Sequence, residues 1–359
     1  MTELNISKAT TTDMTNIVSN YSVDSTNLDY ITNEKESYWY FSDASTNFGY
    51  YKHIPELKKA IDALAIWTAG KGFETNIGTK VSLEHVTGWG EDSFQQIMQN
   101  MLVVKKVIGD SFAEIIRDNK KGLLLNLKPI SPERVRIVVG PNGIILRYDI
   151  RKRDGSWLPM DKEKILHLCN DRVADEIHGT SVIDACRWVI DARNEALTDE
   201  RKIKHRELAM GVLYVDSEDT AKIEDVKKKY ADAISNGEVL VLPRETAELK
   251  DSGVRAQDRI AWIQYLENFF YQAVGIPRVI ATSENYTEAA SKVGFLTFEP
   301  IYTNEQTLLE QDLWNQLGVK VKFNRPPSLS GMMQESENKN TGQTGFQPNE
   351  VTATMGKVE

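Results

Sequence analysis

The chain has 359 residues, of which 41% are hydrophobic and 26% are charged, a composition typical of a globular protein with two or three domains. It contains no run of roughly 18 or more apolar residues, so we expect no membrane span. The first residues lack the basic and apolar regions of a signal peptide, and none is expected. The two cysteines, Cys169 and Cys186, indicate a reducing compartment and no disulfide framework.

The net charge of −9 disfavours a tight grip on nucleic acid, because phosphate binding requires a basic surface. Two interpretations stay open: the protein never meets DNA, or it meets DNA and must not hold it. The densest basic run, Lys227, Lys228 and Lys229, is either a solvated helix face or a partner-binding surface.

Residues 1–48 are rich in Thr, Asn and Ser, and this composition predicts a mostly disordered arm. The aromatic cluster YWYF, Tyr38 to Phe41, is the exception. It either docks on a partner subunit or caps the protein's own core.

Residues 49–183 predict an α+β domain. Two helices are expected, one from Pro55 to Gly70 and one that ends at Gly109. The segments SFAEIIRD and GLLLNLKPI flank NKK, while RVRIVV and IILRYDI flank GPNG, which indicates two β-hairpins. KILHLC reads as one further strand.

A helix is predicted that begins after Gly179, with Thr180 or Ser181 as its N-cap, and its portion 184–210 is separated from the α+β domain. Its apolar face comprises Val182, Cys186, Val189, Ile190, Arg193 and Leu197. Beyond Leu197 the sequence is almost wholly charged, so the second half should leave the core. Residues 211–254 predict a small α/β module.

The next helix, 255–275, carries a broad apolar stripe and should end at Gly275, since Pro277 prevents continuation. Residues 276–287 are predicted as a polar loop. Asn285 with Glu288 resembles a capping box that starts a helix over 288–318.

Pro300 removes a backbone donor from the middle of that last helix, so a kink is expected there. Residues 319–359 predict a short edge strand, VKVKF, and then a disordered tail.

The sequence offers no convincing catalytic cluster or phosphate-binding loop. His167, Cys169, His178 and Cys186 raise the question of zinc, but no C-x-x-C or H-x-x-x-H pair forms a corner of such a site, and core residues are the favoured interpretation. Asp110 and Glu114 raise the question of a metal nuclease, which chance pairing explains as well. No catalytic residue, metal or cofactor is therefore predicted.

Four stretches, in this order, resemble the portal proteins of tailed double-stranded DNA viruses of bacteria or archaea. They are GDSFAEIIRD…LLNLKPISPERVRIVV, ILHLCN…EIHGTSVIDACRWVI, NFFYQAVGIPRVIATSENYTEAA and FLTFEPIYTNEQTLLEQDLW. The resemblance covers about 110–317. Two features depart from the family's pattern: Val182 and Ile183 follow GTS where proline is common, and no long helical crown follows Gly318.

The resemblance implies a homo-oligomeric ring of about twelve subunits at one capsid vertex. Residues 49–183 would form the wing, 184–210 and 255–275 the stem helices, and 211–254 the clip. The loop 276–287 would be the tunnel loop, and 288–318 the long kinked helix on the wing or crown side. Implied partners are double-stranded DNA, the large terminase, the major capsid or scaffold protein and a head-completion adaptor, with no membrane.

Three groups of site residues follow from the same resemblance. The DNA-facing tunnel residues would be Thr282, Ser283, Glu284, Asn285 and Tyr286. Partner binding at the clip would use Lys227, Lys228 and Lys229, and inter-subunit stem contacts would use Arg201, Lys202, Lys204 and Arg206. Pro300 would be the helix kink.

The protein would then reside in the virion, and in the host cytoplasm during assembly. Its function would be genome packaging, retention and ejection rather than catalysis. Two rival functions remain: a virion-associated nucleic-acid-processing enzyme, and a minor capsid or connector protein.

Overall fold

A computed structural model describes eight stretches of the chain. They are residues 36–41, 43–118, 122–207, 211–215, 219–236, 247–251, 257–282 and 287–326. The described chain divides into two compact units, each assembled from separate segments. The first comprises Met1–Gly49, Gly72–Thr180 and Leu308–Phe323, and the second comprises Tyr50–Lys71, Ser181–Thr307 and Asn324–Glu359.

The α+β class predicted from the sequence is confirmed. The helices are α1 (Ala44–His53), α2 (Pro55–Ala69), α3 (Ile77–Glu84), α4 (Phe94–Ile108), α5 (Val182–Glu207), α6 (Thr220–Asn236), α7 (Gln257–Val274), α8 (Arg278–Ala281) and α9 (Glu288–Asp312). The strands are β1 (Ser37–Trp39), β2 (Phe73–Glu74), β3 (Asp110–Arg117), β4 (Leu124–Ile130), β5 (Val135–Val139), β6 (Ile145–Arg151), β7 (Trp157–Asp161), β8 (Ile165–Cys169), β9 (Gly211–Val215), β10 (Ala247–Asp251) and β11 (Lys322–Phe323).

The first unit is built from two main antiparallel sheets. One has the strand order β1-β5-β6-β7 and the other β4-β3-β8. Both predicted hairpins, β3–β4 and β5–β6, are present, and β8 pairs with β3. Phe112, Ile137 and Ile165 belong to the buried core that the two sheets share. Strand pairing between β2 and β11 confirms the edge strand predicted at VKVKF.

The YWYF cluster caps the protein's own core. Ser37–Trp39 pairs with β5, so the predicted disordered arm is ordered from residue 36 onward, except at residue 42, which is not described. Because side chains alternate along an extended chain, Trp39 and Phe41 pack against the core. Tyr38 lies on the other side, with its ring 4.4 Å from the Arg136 guanidinium. Residues 1–35 lie outside the described chain.

Helix α4 ends at Gly109, as the sequence predicts, and begins at a cap that was not predicted. Ser93 and Gln96 form a reciprocal capping box, and Gly109 ends the helix with φ +103°. The apolar face of α4, which includes Met98 and Met101, is buried.

The second unit is mainly helical. Helices α5 and α7 pack together, and α2 packs against α7. Their buried faces include Leu57, Ile61, Ile190 and Phe270. Helix α2 falls into this unit because of these contacts, although its position in the sequence lies within the segment predicted as the wing.

Candidate channel segment and interface surfaces

The chain between α7 and α9 begins with a defined helix stop. Gly275 adopts φ +81°, the left-handed region that glycine enters without a steric cost. Its N–H donates to the Gln272 carbonyl (3.1 Å), and the Ile276 N–H donates to the Tyr271 carbonyl (2.9 Å). These two bonds form a Schellman motif, which satisfies carbonyls at the end of α7. The helix end predicted at Gly275 is thus observed.

One helical turn, α8, follows at once, so the segment predicted as a plain loop over 276–287 is partly helical. Pro277 precedes the turn, with a preset φ of −60°. Arg278 Nη1 donates to the Asn268 side chain (3.0 Å), which ties α8 back to α7. The Thr282 N–H donates to the Arg278 carbonyl (2.9 Å) and closes the turn. The other predicted tunnel residues, Ser283, Glu284, Asn285 and Tyr286, lie outside the described residues.

Helix α9 is capped by Thr287. The Ala290 N–H donates to Thr287 Oγ1 (3.3 Å), and the Ser291 N–H donates to the Thr287 carbonyl (3.0 Å). Glu288 is therefore the first helical residue, too early to close the capping box predicted with Asn285. The start at Glu288 agrees with the range 288–318 predicted from the sequence, and the cap is Thr287 rather than Asn285.

Helix α9 is anchored along one side. The Trp67 ring lies 5.6 Å from the ring of Phe298 and 5.5 Å from that of Tyr302, both fully buried. Gln306 Nε2 donates to the Thr68 carbonyl (2.8 Å). Pro300 lies inside the helix on its exposed side, and the helix continues through it.

Gly294 permits a close approach between α9 and α8. A Cβ atom at this position would overlap the side chain of Val279. The backbone of α9 therefore lies directly against the turn that follows α7, and both ends of the segment 276–287 are held in place.

Helices α5 and α7, predicted as the stem, share a buried ion pair. Arg193 Nη2 lies 2.7 Å from Glu56 and 3.5 Å from Glu267. Burial and the charge of Glu56 raise the pKa of Glu267 above its usual range. Leu197 is 38% exposed, so the predicted apolar face of α5 fades where its sequence turns charged.

The basic end of α5 is only partly described. Arg201 and Lys202 are exposed, and Lys202 pairs with Asp199 of its own helix (3.1 Å). For Lys204 and Arg206, the structure describes the helical backbone and not the side chains. Inter-subunit pairing of these four residues remains a prediction.

The same helix pair carries an exposed aromatic face that was not predicted from the sequence. Trp188, Trp262 and Tyr265 are about half exposed. Trp262 stacks on Tyr265 at 5.7 Å, and Phe269 meets the rings of both Tyr265 (5.1 Å) and Trp188 (5.5 Å). The spacing of Trp262, Tyr265 and Phe269 could have predicted this face, because positions three and four apart share one face of a helix.

In the described part of the module predicted over 211–254, β9 and β10 form a two-stranded antiparallel sheet, and α6 lies between these strands in the chain. Lys227, Lys228 and Lys229 are exposed on α6, and Lys229 pairs with Asp225 at 2.7 Å.

This order of elements recurs in a known family. The family described as phage portal protein matches residues 90–356, well over half of the chain. The chain belongs to the phage portal protein family. The family is a structural one and not an enzyme family, which excludes the rival assignment as a processing enzyme.

Solved structures show the same fold at low identity. The neck of a native gene transfer agent particle, computed with C12 symmetry, aligns with a TM-score of 0.61 and 16% identity over 89% of this chain and 95% of that one. A native gene transfer agent virion aligns with a TM-score of 0.60 and 16% identity, over 85% and 91%. An HK97-family portal protein from Corynebacterium diphtheriae aligns with a TM-score of 0.51 and 12% identity, over 76% and 92%.

No curated protein matches this portal protein. Within the described stretches, no helix is both long and apolar enough to cross a lipid bilayer.

The first unit of this portal protein also contains a buried polar cluster. The carboxylate of Asp110, fully buried, lies 2.7 Å from His167 Nε2 and 3.0 Å from His178 Nδ1. Burial disfavours the ionised carboxyl, but the hydrogen bonds with both histidines outweigh it and hold the pKa of Asp110 below its usual range. Glu114, considered with Asp110 as an acid pair, instead faces Lys128 at 3.8 Å.

Proposed function

We propose that this portal protein forms a ring-shaped channel at one capsid vertex, through which double-stranded DNA is packaged, retained and ejected. The observation that carries the proposal is the channel segment 276–287, held between a Schellman motif at Gly275 and a helix cap at Thr287. Family membership and the similarity to a neck computed with C12 symmetry support it. In a head-to-tail ring of about twelve copies, identical segments would meet around one axis.

The polar character of the segment suits contact with a moving duplex. Residues 282–286, TSENY, carry one acid and no base. A ring that neutralised phosphates at every subunit would release counterions around the whole duplex and bind it tightly. A polar, weakly acidic surface lets the backbone slide, which agrees with the net charge of −9.

Deletion of residues 282–286 tests this function. We expect the deletion variant to assemble rings with an unchanged number of subunits, because the helix stop at Gly275 and the helix cap at Thr287 both lie outside the deletion. Packaged DNA per head should fall, or DNA should leak after packaging. The matched control replaces the same five residues with Gly and Ser and keeps the chain length. Normal yields of full, infectious heads from the deletion would show that the segment is only a connection.

The module 211–254 is proposed as the clip, which docks the large terminase during packaging and head-completion proteins afterwards. The exposed run Lys227, Lys228 and Lys229 supports a charged docking surface. Exchange of all three for Glu should leave rings intact and weaken terminase binding. Dissociation of the rings would instead place the run in the subunit interface.

The control for this exchange is a second triple variant in the other unit. Lys152, Arg153 and Lys162 are exposed, and their exchange for Glu changes the net charge by the same amount. It should leave terminase binding unchanged, whereas an equal loss in both variants would reveal a general charge effect. The major capsid or scaffold protein is the further partner proposed for the assembled ring, within the virion and, during assembly, in the host cytoplasm.

A further inference from the structure

Three side chains with metal-binding chemistry converge on one point in the first unit, and a fourth, His178, contacts one of them. Donor atoms of Asp110, His167 and Cys169 all lie within 4.8 Å of one another. His178 Nδ1 approaches the second carboxylate oxygen of Asp110 at 3.0 Å. None of the four is needed for the proposed channel function.

Strand pairing brings three of these residues together. In the antiparallel pair β3–β8, Asp110 lies opposite Cys169, and Phe112 lies opposite His167. His167 and Cys169 are two residues apart, so their side chains share one face of β8. The fourth residue, His178, comes from the loop between β8 and α5.

We propose that Asp110, His167, Cys169 and His178 bind one zinc ion. Carboxylate, imidazole and thiolate are the ligands that zinc takes in proteins, usually four at a time in a tetrahedron. One carboxylate and one thiolate balance the charge of Zn²⁺, so the loaded site would be neutral, as burial favours.

The ion requires the ligands to move, because His178 lies outside the group whose donor atoms are all within 4.8 Å of one another. Ligand atoms around a tetrahedral zinc lie roughly 3.3–3.6 Å apart, given metal–ligand bonds of about 2.0–2.3 Å. The two Asp110–histidine distances are 2.7 and 3.0 Å, so these atoms would separate by less than about 1 Å. Without the ion, shared protons occupy this space.

The surroundings of the four ligands resemble the second shell of a metal site. The Tyr148 hydroxyl lies 3.0 Å from His167 Nδ1 and fixes the ring so that Nε2 faces Asp110. The Gly179 N–H donates to Asp110 Oδ2 (3.1 Å). Aromatic rings pack against both histidines, since the Phe112 ring stacks on His167 at 4.6 Å and the Phe41 ring lies 4.1 Å from that of His178.

A cavity of about 400 Å³ gives the ion a route to the ligands. Its lining includes Tyr148, His167, Cys169 and Arg172. Burial and the charge of Asp110 raise the pKa of Cys169 to about 12, so the ion-free residue is a thiol. Metal binding then releases the thiol proton to solvent as the Zn–S bond forms, and the protons on the histidine nitrogens that face Asp110 move to the other ring nitrogen or to solvent, so that those nitrogens can bind the ion.

The ion would stabilise the strained loop between β8 and α5. Asp171 and Ala174, the non-glycine residues with positive φ in the described chain, both lie between β8 and α5, at +40° and +52°. His178 belongs to the same loop, and Gly179 lies so close to Gly109 that a Cβ atom would overlap its carbonyl. Bonds from β3, β8 and this loop to one ion would hold the strained backbone in place.

Cobalt substitution of the purified full-length protein tests the site. Co²⁺ bound by a thiolate gives a charge-transfer absorption in the near ultraviolet, and we expect this band at about one ion per chain. Cys169→Ser should abolish the band. The matched control is Cys186→Ser, since Cys186 is the other cysteine of the chain and is buried in α5. That variant should keep the band.

Two further variants separate a metal site from a hydrogen-bond network. Tyr148→Phe removes an outer-shell partner and should weaken zinc affinity about 10–100-fold while the band remains. His178→Gln should weaken zinc binding and reduce the rise in melting temperature on adding Zn²⁺. This variant tests the site if Cys169→Ser fails to fold. Absence of bound metal by elemental analysis after Zn²⁺ addition, or an unchanged cobalt band in Cys169→Ser, overturns the proposal. Neither result depends on ring formation or DNA packaging.

Discussion

Gly275 holds the end of α7 in a conformation that other residues enter only at a cost. With φ at +81°, we expect Gly275→Ala to lower the free energy of unfolding by about 1–2 kcal/mol. The matched control is Gly78→Ala in α3, where an added Cβ meets nothing closer than 4.0 Å. That change should stabilise the helix by about 0.5–1 kcal/mol. Denaturant titration checks both, and shifts in the same direction would contradict the prediction.

The raised pKa of Glu267 predicts how the stability of the protein changes with pH. Its pKa is raised from 4.5 by burial and by Glu56, so the folded protein binds its proton more tightly than the unfolded chain does. The resulting stability is full below pH 4.5 and is lost as the pH rises through the folded pKa. Glu267→Gln carries no such charge, so its melting temperature relative to the wild type should rise from pH 4.5 upward. A falling difference would contradict the cause given.

The sequence predicts the structural role of some residues and not of others. Gly275, Gly109 and Gly318 were predicted as helix ends, and all three adopt positive φ in the structure. The cluster around Asp110 was not predicted, because its members come from three separate parts of the chain. His167 and Cys169 were seen to share a strand face, but only the β3–β8 register places Asp110 beside them.

At the scale of elements, the attachment of α9 is the feature most open to test. Phe298 is fully buried against Trp67, whereas Val293 on the same helix is 60% exposed. Phe298→Ala should cost about 3–5 kcal/mol of stability through the lost burial and the cavity. Val293→Ala should change stability by less than about 0.5 kcal/mol. Chemical denaturation compares them, and similar costs would show that α9 is not anchored by this ring cluster.

Local patterns predicted the elements whose contacts are local. The turn sequences NKK and GPNG identified both hairpins. Strand β7 was missed because Pro159 and its exposed side chains obscure the alternation, and proline fits there because β7 is an edge strand. Strand β1 was missed because it follows a polar stretch and pairs with β5 about a hundred residues later. The turn α8 was missed because Gly275 and Pro277 suggested continuous loop.

At the scale of the whole molecule, the charge predicts weak attachment to DNA. With a net charge of −9, the protein should bind a short labelled duplex no more tightly than about 1 µM at physiological salt. Fluorescence anisotropy across a salt series measures this. Tight binding that survives high salt would indicate specific phosphate contacts, which oppose a sliding channel.

Both compact units are discontinuous in the chain, and this has a consequence for biosynthesis. The first unit requires Leu308–Phe323, which supplies β11 as the partner of β2. In the same segment, the Gln316 side chain exchanges two hydrogen bonds of 2.8 Å with the backbone of His167 in β8. Until residue 316 has left the ribosome, these backbone groups lack that partner. The nascent protein therefore carries an uncovered strand edge through most of its translation, when aggregation is easiest and chaperones have most to protect.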